Sequence, residues 1–133
     1  LVGAHSDKEI CLRISEQVPG SHNLAGRTQL EDLLFLFSRG KLLIVNDSGL
    51  MHLGSLAGIP CIAVFGPTTL ELGYEPWQKK AWVVDLDLPC RPCGKHGHVV
   101  CPIGSHECMK GLSAQRVIAR IETKREKVFR DKP

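Results

Sequence analysis

Leu42-Leu43-Ile44-Val45-Asn46-Asp47-Ser48-Gly49-Leu50-Met51-His52-Leu53 decides the fold of this chain. Four consecutive apolar residues suit a strand of a parallel sheet covered on both faces. Ser48 is a good N-cap for a helix that Gly58 ends, just before Ile59-Pro60. A strand that turns into a helix at Asp-Ser-Gly leaves backbone N–H groups unpaired, and the helix dipole adds positive potential there. Such a turn favours phosphate or diphosphate. In an open parallel sheet it lies at the carboxyl ends of the strands, where ligands bind. The stretch therefore points to an anionic, nucleotide-type ligand.

Strand and helix signals alternate on both sides of it. Leu1-Val2-Gly3 reads as the end of a strand, and the abrupt start suggests a piece of a longer protein with a strand and helix upstream. Asp7 is expected to cap a helix with Ile10, Cys11, Ile14 and Val18 on one face. Pro19-Gly20 stops it. His22–Ala25 reads as extended. Thr28-Gln29-Leu30-Glu31 has the form of a capping box, opening a helix with Leu30, Leu33, Leu34 and Phe37 inward. Downstream, Cys61–Phe65 and Ala81–Val84 read as strands. Residues 85–111 read as a long loop, and Ser113 as the cap of a last helix with Val117, Ile118 and Ile121 inward. Strands alternating with helices of about ten residues predict a Rossmann-like parallel sheet with flanking helices. Turns after residues 3, 25, 46 and 65 should then share one edge.

The 133 residues are expected to form a single domain with three parts: a ligand-binding body (1–84), a Cys-rich loop (85–111) and a C-terminal helix (112–130). No apolar run is long enough for a transmembrane helix, and no secretory signal pattern is present. Eight of the 17 Lys and Arg but only three of the 14 Asp and Glu fall in residues 110–132. That tail is either a solvated face or a surface drawn to anionic membranes.

Asp47 is either a turn residue or an acceptor for a ligand hydroxyl. Ser48 and Gly49 offer N–H groups, and Gly49 lets a ligand approach the backbone closely. His52 lies one turn after Ser48 on the same helix face, where an anion would favour its protonated form. Gly66-Pro67-Thr68-Thr69 offers hydroxyls from a second loop. Gly26-Arg27-Thr28 forms a third, either a helix cap or one wall of a base pocket. Cys90, Cys93, Cys101 and Cys108 have one zinc-knuckle pair, with His96, His98 and His106 nearby. A structural zinc, reduced thiols and disulfides are the three readings open. Cys11 and Cys61 read as core.

Taken together, Asn46–Leu53, Gly58-Ile59-Pro60 and Phe65-Gly66-Pro67-Thr68 resemble the family 9 glycosyltransferases, the ADP-heptose:lipopolysaccharide heptosyltransferases. Leu88-Pro89-Cys90-Arg91-Pro92-Cys93, Cys101-Pro102-Ile103-Gly104 and Cys108-Met109 are similar to the heptosyltransferase II branch. Leu24–Thr28 with Leu30 also fits. The resemblance covers roughly residues 1–121. It implies the C-terminal, donor-binding half of a two-domain GT-B enzyme. Its partners would be ADP-heptose, a lipid A-linked inner-core acceptor and an N-terminal domain of the same enzyme that supplies the general base. It also implies transfer that requires no metal, inactivity of this piece alone, and a cytoplasmic place at the inner face of the inner membrane. Asp47, Ser48 and Gly49 match the element that contacts the donor diphosphate and sugar. His52 matches that motif's histidine, Thr28 matches a position lining the adenosine site, and Thr68 adds a donor contact. The chain departs from the family at Gly54-Ser55-Leu56, where alanines are common, and lacks the strand and phosphate-side lysine expected upstream. The rivals are a zinc-stabilised basic nucleic-acid-binding module and a non-catalytic nucleotide-binding domain. Only 5% aromatic residues and irregular cysteine spacing argue against nucleic acid as a partner.

Overall fold

A computed structural model describes residues 1–129. The chain forms two compact units, Leu1–Leu36 and the residues from Phe37 onward. In the first unit, residues 1–3 and 22–26 run side by side in parallel. Leu1 N–H donates to the His22 carbonyl at 2.7 Å, Leu24 N–H to Leu1 at 2.9 Å and Gly26 N–H to Gly3 at 2.9 Å. Residues 1–3 and 22–24 are extended as expected but form no regular strand, and Ala25-Gly26 turn, with Gly26 at φ 65°.

Helix α1 (Lys8–Gln17) follows a 3-10 turn at His5–Asp7. Asp7 does not cap α1 with its side chain. Its carboxylate instead accepts the Ala4 N–H at 2.7 Å and closes the preceding turn. Only Cys11 of the expected inward face is buried, and Ile10, Ile14 and Val18 are exposed. Helix α2 (Leu30–Arg39) is capped one residue later than the Thr28–Glu31 pattern suggests. The Gln29 N–H is met by the Asp32 carboxylate at 2.8 Å. Phe37 is the buried residue of α2.

The second unit carries a parallel sheet in the order β1 (Leu43–Asn46), β2 (Cys61–Val64), β3 (Ala81–Val84). Leu43 pairs with Cys61 and Asn46 with Val64; Cys61 pairs with Ala81 and Val64 with Val84. Cys61, Ile62 and Ala63 are wholly buried, as a central strand covered on both faces requires. β1 departs from that expectation. Leu43 and Val45 are buried, but Ile44 between them is 55% exposed. Helix α3 (Gly49–Ala57) packs on β1, and side chains that alternate along a strand cannot all face it.

The contact between α3 and β1 is close because Gly54 has no side chain. A Cβ there would lie 2.5 Å from Leu43 Cδ2. Gly54 therefore acts on packing. Helix α5 (Ala114–Phe129) lies against β2 and β3. Val117 and Ile121 are half-buried and Val128 is buried, but Ile118 faces outward and is exposed. Residues 85–111 are not all loop, since Glu107–Lys110 forms a single turn of helix, α4. Arg130, the last residue of the expected C-terminal helix, lies outside the described residues.

Candidate functional site

β1 and β2 end side by side and release the two loops that build the site. Past Asn46, the Asp47 N–H still donates to the Val64 carbonyl at 3.0 Å, so Asp47 remains fixed to the sheet edge. Ser48 is the extended N-cap of α3 (φ −162°, ψ 171°). Its side chain makes no cap hydrogen bond and is exposed. Gly49 begins the helix, and a Cβ on it would meet no atom within 4 Å. Of the N–H groups at the start of α3, that of Met51 donates to the Ser48 carbonyl at 3.0 Å, while those of Gly49 and Leu50 lack intrahelical partners, as at any helix start. Gly58, in the left-handed region at φ 68°, ends α3 and bonds back to Gly54 and Ser55.

His52 follows one turn after Ser48. Its ring stacks on Trp77, with centroids 5.0 Å apart and planes at 30°. Trp77 is anchored to the same helix, because its N–H donates to Ser55 Oγ at 3.1 Å. Next to it, Gln78 Nε2 donates to the Ile59 carbonyl at 2.8 Å. His52 Nδ1 is buried and has no hydrogen-bond partner among the described residues. A buried polar atom without a partner is costly, so a ligand or water contact there would be stabilising.

Thr68 is buried, at 4% exposure, and its hydroxyl donates to Asp47 Oδ2 at 2.6 Å. The proton expected for a sugar or phosphate is thus committed to Asp47. The 66–69 loop is also less open than its sequence suggests, because the Cys-rich segment lies over it. Cys93 N–H donates to the Pro67 carbonyl at 2.9 Å. Gly97, at φ 76°, sits so close to Pro67 that a Cβ would lie 2.5 Å from Pro67 Cγ. Met109 of α4 occupies the space beside Gly66. Tyr74 and His96 stack at 5.7 Å, tying residues 95–97 to the segment after β2. Thr28 belongs to the first unit, half-buried ahead of α2.

Arg91 and Trp77 were not singled out by their sequence pattern. Arg91 is a charged residue set between Pro89-Cys90 and Pro92-Cys93, six residues after Asp85, and that isolation is the signal. Its side chain is 4% exposed. It pairs with Asp85 at 3.0 Å, donates to the Leu86 carbonyl and donates to the Thr68 carbonyl at 2.7 Å. Two cavities, of about 410 and 270 Å3, lie along β3 and α5 rather than at this site.

The four clustered cysteines are near enough for Cys108 to feel the charges of Cys90, Cys93 and Cys101. All six cysteines are free thiols. Among the described residues, no group of three or more His, Cys, Asp or Glu side chains is placed to hold a metal ion. Cys93 Sγ turns to the Cys90 carbonyl, and Cys101 Sγ accepts the His106 N–H, each at 3.4 Å. Stoichiometric zinc in protein purified without chelator would require all four sulfurs to close to about 2.3 Å from one ion.

The thiols differ in chemistry. The His106 N–H, with those of Ile103, Gly104 and Ser105, lowers the pKa of Cys101 below the usual thiol range. Burial raises Cys108 and pushes Cys61 up to about 11. Iodoacetamide near pH 8 should therefore alkylate Cys101 first and Cys61 last, because the thiolate is the reactive form. Peptide mass spectrometry gives the order, and early labelling of Cys61 would contradict it.

The model of glycosyltransferase family 9 (heptosyltransferase) matches residues 1–103. Lipooligosaccharide heptosyltransferase 2 of Campylobacter jejuni subsp. jejuni serotype O:6 is 36% identical over 122 residues, 88% of this chain and 37% of that protein. Lipopolysaccharide heptosyltransferase 2 of Escherichia coli K12 is 31% identical over 107 residues, 80% of this chain and 30% of that protein. The structure of E. coli ADP-heptose lps heptosyltransferase II superposes with a TM-score of 0.72 at 27% identity. That match covers 92% of this chain and 34% of the other. A family 9 glycosyltransferase from Veillonella parvula gives 0.70 at 30% identity, with the same coverage. The chain spans about a third of the length of these relatives. The parallel α/β architecture, the Asp-Ser-Gly turn at the head of α3 and the family match over residues 1–103 together mean that this chain belongs to glycosyltransferase family 9, the heptosyltransferases.

Proposed function

We propose that the chain is the donor-binding part of a glycosyltransferase that passes heptose from ADP-heptose to the inner core of lipopolysaccharide. The carrying observation is the head of α3. There an uncapped Ser48 and an open Gly49 stand beside a fixed carboxylate, Asp47, with His52 one turn further on. A diphosphate suits the N–H groups of Ser48 and Gly49 and the helix dipole. Asp47 repels phosphate and therefore takes a ligand hydroxyl. A protonated His52 offsets charge on the departing ADP, so this arrangement supplies to the diphosphate what a metal ion supplies elsewhere. Transfer itself needs a general base, which this reading assigns to an N-terminal domain of the same enzyme.

Calorimetry with ADP tests the reading. Saturable binding of ADP that ADP-heptose displaces, with no binding of RNA, is the expected result. Saturable RNA binding without ADP binding would favour a nucleic-acid module and overturn it.

The acceptor in this reading is anchored in a membrane. We place the enzyme peripherally at the cytoplasmic face, where such an acceptor would be met; no helix among the described residues is long and apolar enough to cross a membrane. α5 exposes Arg116, Arg120 and Lys127, while Lys124 is half-buried. Each such charge near an anionic bilayer contributes about 1 kcal/mol. Replacing Arg116, Arg120 and Lys127 by Gln should sharply reduce sedimentation with phosphatidylglycerol vesicles, most clearly at low salt. Equal sedimentation of both proteins at low ionic strength would remove the membrane role from α5.

A further inference from the structure

We infer that Thr68 and Arg91 are positioning residues that aim the Asp47 carboxylate at the donor, an assignment that rests on the donor-site reading above. Three observations converge on it. The Thr68 hydroxyl donates to Asp47 Oδ2 at 2.6 Å, the short distance typical of a hydrogen bond to an ionised carboxylate. The Thr68 carbonyl in turn accepts Arg91 Nη2 at 2.7 Å. Arg91 is itself fixed by Asp85 at 3.0 Å and by the Leu86 carbonyl, just beyond the end of β3. The result is a chain of contacts from the β3 edge through the 66–68 loop to the end of β1.

The chain has a directional consequence. A carboxylate anchored only through its backbone can rotate about its side-chain bonds. With Oδ2 held by Thr68, the plane of the Asp47 carboxylate is set and Oδ1 is left for a ligand hydroxyl. Because the Thr68 proton is already given to Asp47, Thr68 influences the donor through Asp47. Arg91 acts one step further back. It holds the Thr68 backbone, and with Cys93 N–H on the Pro67 carbonyl it keeps the whole loop in register. The Cys-rich segment thereby takes part in the donor site without touching the donor.

A mutant cycle in the full-length enzyme tests this. Thr68→Val keeps the side-chain shape and removes the hydroxyl, Thr68→Ser keeps the hydroxyl, and Asp47→Asn keeps an acceptor for Thr68 but removes the charge. Thr68→Val should lower kcat/KM for the donor roughly tenfold, in line with one lost charge-assisted hydrogen bond. Thr68→Ser should stay within about twofold. The double variant Thr68→Val with Asp47→Asn should be no worse than Asp47→Asn alone, because residues that act as a unit are not additive. A merely structural Thr68 would damage both backgrounds equally. If Thr68→Val does not fold, Thr68→Ala enters the same cycle. Multiplying effects, or a Thr68→Val enzyme that matches the unmodified one beside a damaged Asp47→Asn, overturn the inference alone. An unimpaired Asp47→Asn overturns the donor-site reading and the inference with it.

Discussion

Asp47→Ala and His52→Ala should each lower kcat/KM for the sugar-nucleotide donor by roughly 10- to 100-fold in the full-length enzyme, about 1–3 kcal/mol for a lost charge-assisted contact. For Asp47 two effects oppose each other. Removing the carboxylate relieves its repulsion of the diphosphate, worth about 1 kcal/mol or less at several ångströms in a water-like dielectric. It also removes the acceptor for a ligand hydroxyl and strands the Thr68 hydroxyl, which is buried and bonded to Asp47. The second loss is larger, so the net effect is a weaker enzyme. His52 has no such compensation. Its Nδ1 lacks a partner among the described residues, and its ring is held by Trp77. Alanine removes both the imidazole nitrogens and the stacked surface. Steady-state kinetics on both variants decide the matter. Unchanged constants in both would take these residues out of the site.

Phe65→Ala should lower the stability of the fold by about 3–5 kcal/mol, the range for truncating a buried aromatic residue. Phe65 is fully buried. It extends β2 by donating its N–H to the Val84 carbonyl at 3.0 Å, and Gly66-Pro67-Thr68 starts directly after it. Truncation leaves a cavity beneath the loop that carries Thr68. A fall in Tm of roughly 10 °C or more is expected at this chain length. Phe65→Leu, which keeps most of the volume, should cost less than about half as much. Thermal unfolding followed by circular dichroism measures both. Equal, small shifts would mean that the site collapses around the missing ring.

The sequence carried the architecture wherever local signals are strong. The apolar runs of β1, β2 and β3, the Ser48 cap and the Gly58 stop are single-segment features, set by burial and backbone geometry a few residues apart. The Asp-Ser-Gly turn and His52 were legible for the same reason, because a strand followed by a cap fixes where a helix begins. Features that depend on another element's position were not legible. Ile44 lies open because its neighbours along β1 already face α3, whereas Asp7 and Asp32 were misread locally, each taking a backbone N–H only three residues away.

The same division runs through the site. Sequence placed Thr68 on the loop after β2 and left the four cysteines open between zinc, thiol and disulfide readings. Only the packed structure gives the Thr68 proton to Asp47 and turns Cys101 toward backbone N–H groups. The sequence by itself determined a parallel α/β fold with an anion-favouring helix start, because periodicity and capping are local. Tertiary structure alone decided which hydroxyls and charges are free to meet a ligand. Hydrogen bonds such as Arg91 to Thr68, 23 residues apart, form only when folding brings their partners together.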